Sequence, residues 1–174
     1  RGAIVTLMTR RQFQEKLFDA DPGWLGPKYL KQFHAESDWF SRWQMIQQAR
    51  NGGSLTPAMM LQLRKASRQG QVILNENCEV AEAKWQENSW EIDCLDGSNH
   101  QFDRIWLATG TRFNASEHPI LKNILETYPT EIIKGLPVVD ERLRIPGSEF
   151  FIMGAYGALQ IGPTARNISG GRMA

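Results

Sequence analysis

Cysteine is nearly absent from this chain, with 2 in 174 residues. Cys78 and Cys94 show neither CxxC nor any metal-ligand spacing, which excludes a zinc ribbon and a thioredoxin-like redox motif. They read as buried free thiols in a reducing cytoplasm. Histidine is also scarce: His34, His100 and His118 are scattered and read as surface or structural residues. An excess of one charge is missing too. The net charge is +1 at pH 7, so no overall field points to nucleic acid or an acidic membrane. No apolar run is long enough to span a bilayer. No N-terminal charged-then-apolar pattern marks a secretory signal. Internal repeats and low-complexity segments are absent. The expected setting is cytoplasmic.

What is present is a globular composition, 41% hydrophobic and 22% charged. That suffices for one well-buried domain or two small lobes. The first residue is Arg rather than Met, so the chain reads as a piece of something longer.

The chain opens on "RGAIVTLMTRR". Residues 3–9 are apolar, partly β-branched and uncharged, and predict a strand buried on both faces, as in a parallel sheet. Residues 19–27, "DADPGWLGP", are breaker-rich and read as loop. In "ESDWFSRWQMIQQAR", Trp39, Trp43, Ile46 and Arg50 recur at helical spacing, with Ser37 or Asp38 as cap and "NGG" at 51–53 as stop. A second helix starts at Thr56-Pro57 and ends before Gly70. The period then changes to two. "QVILNE" is a short strand, and "EVAEAKWQ" with "SWEIDCLD" predicts an antiparallel hairpin turning at Glu87-Asn88. "DGSN" at 96–99 is a turn. "FDRIWLATG" and "EFFIMG" read as two further buried strands, with a short helix near "HPILKNILETY" between them. "YGALQIGPTARNISGG" reads as a helix limited or kinked by Pro163. The fold class is therefore α/β: parallel strands with helices plus a three-stranded antiparallel segment.

Three of these strands, "VTLMTRR", "IWLATG" and "FFIMGAYG", run from apolar residues into small or basic ones. In open α/β sheets ligands sit beyond the carboxyl ends of the strands. At these residues the chain resembles the C-terminal half of the two-dinucleotide-domain flavoproteins. That family includes pyridine-nucleotide disulfide reductases and flavin-dependent monooxygenases, among them the lysine and ornithine N-hydroxylases. "GAIVTLMTRR" is similar to the second strand of their nicotinamide domain. "FDRIWLATGT" is similar to the strand and turn that lead back to the FAD domain, and "EFFIMGAYGALQIGPTARN" to the last strand and helix. The resemblance covers most of the chain. It implies a partial Rossmann-like FAD/NAD(P)-binding fold, with residues 1–108 as a partial NAD(P)-binding domain and 109–174 as the C-terminal part of an FAD-binding domain. It also implies FAD and NADPH as cofactors.

The residues carry their own warrant. A Rossmann site for NAD places an acid at the end of strand two, whereas a site for NADP places basic residues there. Here the strand ends in Thr9-Arg10-Arg11, and a guanidinium suits a phosphate dianion. The same arginines also fit solvated residues at a strand exit. Thr109 and Gly110 are small enough to let backbone approach a cofactor, or they form an ordinary turn. Gly154, Ala155 and Tyr156 precede a helix whose free N–H groups favour an electron-rich ligand edge. Where the reductases carry an acid directly after this glycine, Ala155 stands here and cannot make the ribityl hydrogen bond.

The fingerprint G-x-G-x-x-G occurs nowhere in the chain. A complete member of the resembling family needs two such turns, both before strand two of the nicotinamide domain, so the chain reads as beginning after them. The missing redox CxxC sets the disulfide reductases aside and leaves the monooxygenases as the nearest resemblance. In such enzymes the cofactor carries the hard chemistry, and no catalytic side chain is nominated. Two functions stay open. One is part of an FAD- and NADPH-dependent, monooxygenase-like oxidoreductase acting on an unread small-molecule substrate. The other is a non-catalytic interaction module or remnant, paired with a second copy or with the upstream part of the same protein. Neither calls for nucleic acid: Trp39 and Trp43 with Arg42 and Arg50 are more simply a core stripe than a stacking platform.

Overall fold

The computed structural model describes residues 2–50 and 52–173. Two compact units result: Arg1–Leu17 with Ser54–Gly110, and Phe18–Gly53 with Thr111–Ala174. Packing rather than chain order draws the division, since residues 18–53 belong with the C-terminal segment.

In the first unit, β1 (Val5–Thr9) pairs in parallel with β2 (Val72–Glu76), Thr9 opposite Glu76. The helix α3 (Pro57–Arg68) supplies the crossover between them. Its Thr56 cap accepts from the Met59 N–H at 3.3 Å, with Pro57 at the first position and Gly70 left-handed after the end. The hairpin β3 (Val80–Gln86) and β4 (Ser89–Cys94) turns at Glu87 and Asn88, φ 47° and 70°, the conformation a two-residue primed turn demands. A register shift between Val80 and Glu82 marks a bulge near the start of β3. β5 (Asn99–Phe102) completes a three-stranded sheet in the order β3-β4-β5. Ile92, Cys94 and Cys78 form its small core, with Met8, Trp90, Phe102 and Ile105 packed against them.

In the second unit, α1 (Pro27–Ala35) and α2 (Trp39–Arg50) pack with the C-terminal segment. α1 buries Leu30 and Phe33; α2 buries Arg42 and Ile46. Asp38 caps α2, accepting from the Ser41 N–H at 2.7 Å. The Ser41 hydroxyl and amide together hold the Asp38 carboxyl below its usual range. Arg42 is 8% exposed and donates to the carbonyls of Glu36, Leu159 and His34 at 2.8, 3.1 and 3.1 Å. Its guanidinium lies over the Trp39 ring, 4.5 Å from the centroid. Arg50 reaches the Pro163 carbonyl at 2.9 Å and Asp19 at 3.2 Å. Then come α4 (Pro119–Thr127), the pair β6 (Ile132–Ile133) and β7 (Leu136–Pro137), α5 (Ala158–Ile161) and α6 (Ile168–Met173). Phe33, Ile145 and Leu159 at its centre are fully buried.

Several expectations are corrected. β1 is not buried on both faces: Ile4 and Val5 are 70% and 54% exposed. A strand is covered only where a neighbour covers it, and β2 is the only strand in this sheet with β1 among the described residues. "FDRIWLATG" forms no strand past Phe102, and Trp106 and Leu107 are 89% and 81% exposed. "EFFIMG" reduces to a single bridge, Phe151 to Arg144, with Ile152 buried. The breaker-rich stretch 19–27 holds a 3₁₀ turn at Pro22–Leu25 and the start of α1. Of the "NGG" stop, Asn51 lies outside the described residues. The cysteines are not free: Cys78 and Cys94 form a disulfide. The reason is pairing. The Leu95 N–H donates to the Glu79 carbonyl, and Val80 lies opposite Cys94, so the end of β4 sits beside the residues that open β3.

Candidate functional site

The parallel pairing of β1 and β2 brings their carboxyl ends together at Thr9 and Glu76. Here the chain curls back on itself. The Thr9 hydroxyl donates to the Arg11 carbonyl at 2.7 Å, and the Phe13 N–H donates to the Glu76 carboxylate at 2.5 Å. The Thr9 carbonyl accepts from the Cys78 N–H at 2.9 Å. Arg10 is exposed and Arg11 half-buried. No acid follows β1 directly, and one oxygen of the acid that ends β2, Glu76, is already engaged by backbone. An exposed guanidinium beside a tight backbone turn at the carboxyl end of a parallel strand suits a phosphate dianion.

Thr109 and Gly110 lie in the same unit, exposed at the end of a stretch without regular structure. Gly110 has φ 84° and open space where a side chain would begin, so glycine is required there by backbone conformation. The strand expected to present these residues is not formed.

Gly154, Ala155 and Tyr156 fall in the second unit, half-buried in a 3₁₀ turn, Gly154–Gly157. Gly154 has φ 73°. Tyr156 meets Phe113 and His118 edge-on, with centroids 5.5 and 5.6 Å away. These three rings, with Arg112 and Glu117, line a cavity of about 440 Å³. The His118 Nδ1 accepts from the Leu121 N–H at 3.5 Å as the cap of α4. Aromatic rings with a guanidinium and a carboxylate in one lining suit a flat, polar-edged ligand. One expectation fails at this turn. The helix behind it, α5, is a single turn ended by Gly162 (φ 94°) and Pro163, too short for a helix macrodipole to act on a ligand.

The predicted residues thus divide between the units: Thr9, Arg10, Arg11, Thr109 and Gly110 in the first, Gly154, Ala155 and Tyr156 in the second. Sequence reading missed Arg112, Glu117 and His118. A cavity assembled from a loop and a distant turn has no spacing signature, and His118 read only as a surface or structural residue.

No family model matches the chain, and no curated protein matches it in sequence. Solved structures do match in fold. The FAD-bound cadaverine monooxygenase DfoA of Erwinia amylovora superposes with a TM-score of 0.70 at 13% identity, over 94% of this chain and 41% of that one. The chain shares the fold of part of that structure. Ornithine hydroxylase PvdA of Pseudomonas aeruginosa gives 0.61 at 15% identity, over 97% and 45% of the two chains. L-lysine 6-monooxygenase of Pseudomonas syringae gives 0.63 at 13%, over 98% and 48%. The chain therefore spans less than half the length of these structures. Among its described residues no helix is long and apolar enough to cross a membrane.

Proposed function

We propose that the chain is part of an FAD- and NADPH-dependent monooxygenase acting on a small-molecule substrate in the cytoplasm. The observation that carries this reading is the match of nearly the whole chain to an FAD-bound monooxygenase. The basic edge at the end of β1 supports the choice of coenzyme. FAD and NADPH supply the redox chemistry when bound; the chain's residues hold and orient them. Thr9 fixes the turn through its bond to the Arg11 carbonyl. Arg10 and Arg11 take the 2′-phosphate. The Gly154–Gly157 turn and Tyr156 form a wall against the flavin, with Ala155 leaving the ribityl chain to other donors. The remaining length of such an enzyme comes from the upstream part of the same protein, and a second copy is a further expected partner.

The visible spectrum of the purified protein tests this, before and after FAD and then NADPH. A bound flavin band should bleach faster with NADPH than with NADH. Replacing Arg10 and Arg11 by Ala should cut that preference about 10- to 100-fold, the worth of about 1.5–3 kcal/mol in charged hydrogen bonds. A protein that never takes up flavin sinks the reading. It would favour the second one, an interaction module, which the exposure of Trp106 and Leu107 supports.

A further inference from the structure

The first unit holds a cluster that the flavoenzyme reading does not use. After β2, Asn77 takes a left-handed conformation, φ 59°, and Cys78 follows it, anchored by its N–H to the Thr9 carbonyl at 2.9 Å. Cys94 ends β4, its N–H donating to the Ser98 carbonyl at 2.9 Å. His100 lies on β5 opposite Ile92. Alternation along β4 puts Cys94 on the same face as Ile92, and cross-strand pairing puts His100 there too. One ligand atom from each of Cys78, Cys94 and His100 lies within 4.8 Å of the others. The cysteines are 2% and 5% exposed, and His100 is half-buried.

Two thiolates and an imidazole are the donor set of a soft or borderline d¹⁰ cation, with bonds of about 2.3 Å to sulfur and 2.0–2.1 Å to nitrogen. A tetrahedral shell with those bonds sets its donors roughly 3.5–3.8 Å apart, which the cluster accommodates. Met8, Trp90, Ile92 and Phe102 pack around the cysteines as an apolar wall. The surroundings also supply an outer partner. The Asn75 amide lies 3.4 Å from His100 Nε2, and a side-chain amide can turn either its oxygen or its nitrogen to such a ring. Turned oxygen-first, it accepts from Nε2–H and leaves Nδ1 unprotonated for a metal.

We propose that the Cys78–Cys94 disulfide and a Cys₂His metal site are alternative states of the same three residues, the reduced state binding a zinc-class divalent cation. A dithiol or phosphine reductant gives up two electrons, the S–S bond takes them with two protons, and two thiols result. Metal entry releases those two protons. Two thiolates then balance the divalent charge, the neutral imidazole is the third ligand, and water fills the fourth position. The inference does not depend on flavin binding, and its readout needs no enzyme activity.

The test is anaerobic titration of the phosphine-reduced protein with Co²⁺ as a spectroscopic stand-in for Zn²⁺. One equivalent should produce a thiolate-to-cobalt charge-transfer band with the visible d–d bands of a tetrahedral ion, and Zn²⁺ should bleach both. The peroxide-oxidised protein should give neither. Cys78→Ser or Cys94→Ser should remove most of the charge-transfer intensity. His100→Ala should weaken Co²⁺ binding at least about tenfold, the lower bound seen even for outer-shell partners. Reduced protein that keeps its circular dichroism but gives no charge-transfer band overturns the site. So does reduced protein that unfolds and is not refolded by Co²⁺, and so does a band that His100→Ala leaves unchanged in position and affinity.

Discussion

The two units stabilise themselves by different means. The second buries thirteen apolar residues in one cluster, with Phe33, Ile145 and Leu159 fully enclosed, and ties its segments together with arginines. The buried cluster of the first holds three residues besides its flanking side chains, two of them the bridged cysteines, with Met60 buried apart from it. Where apolar burial is large, a charged side chain can be enclosed if its donors are satisfied, as Arg42 is. Where burial is small, a covalent link supplies what the core does not. The difference teaches that these units should fail under different insults.

The largest expected effect tests the buried arginine. Arg42→Met removes three hydrogen bonds from a charged group, each worth about 1.5–3 kcal/mol, and leaves the buried Leu159 carbonyl unpaired. Denaturant unfolding should show the second unit weakened by about 3 kcal/mol or more, with the first little changed. Equal loss in both units would break the comparison. Next comes the disulfide, which closes a loop of 16 residues. Replacing Cys78 and Cys94 together by Ser should cost the oxidised first unit about 3 kcal/mol, seen as a lower thermal midpoint confined to the three-stranded sheet.

A smaller effect is expected from Asp140, in the loop before the Gly154 turn. The Arg144 N–H, then that of Arg142 and the Arg144 side chain, hold its carboxyl below the ordinary value of 3.8. A folded-state value below the unfolded one means the stabilisation is complete above the unfolded value. It is lost as pH falls from about 3.8 through the folded value. Asp140→Asn should therefore flatten the acid limb of the second unit's stability curve, measured below pH 4. The smallest effect concerns Thr164, buried with its hydroxyl unpartnered. Thr164→Val removes a polar group that gains nothing from burial, so a change between zero and a slight stabilisation is expected in the same titration. A loss above about 1 kcal/mol would mean the hydroxyl has a partner when folded in solution.

Local signals were legible in the sequence where the cause is local. The Thr56-Pro57 start of α3, the Glu87-Asn88 turn, the cap at Ser37 or Asp38 and the limit at Pro163 each rest on residues within one turn of one another. α1 was hidden because Pro22, Gly23, Gly26 and Pro27 read together as loop, although Pro27 is also a good first helical residue. The strand readings of 102–110 and 149–154 failed for a different reason. A strand is made by its partner, and composition cannot say which partner is near. The strand ending at Thr9 was readable because its apolar run and the residues that follow it are contiguous in the chain. The Tyr156 cavity and the Cys78–Cys94–His100 cluster were not. Their members are brought together by sheet register and loop packing, which no spacing rule encodes.

The bulge at the head of β3 has a consequence for how the protein behaves at high concentration. β3 is an outer strand with every residue exposed, and beyond the bulge it carries Glu82 and Lys84 in an ion pair of 2.8 Å. A kinked, charged rim is a poor template for another chain's backbone. The sheet most in need of extra cover is thus guarded against gaining it by strand addition along that rim, and aggregation through cross-strand growth is disfavoured there.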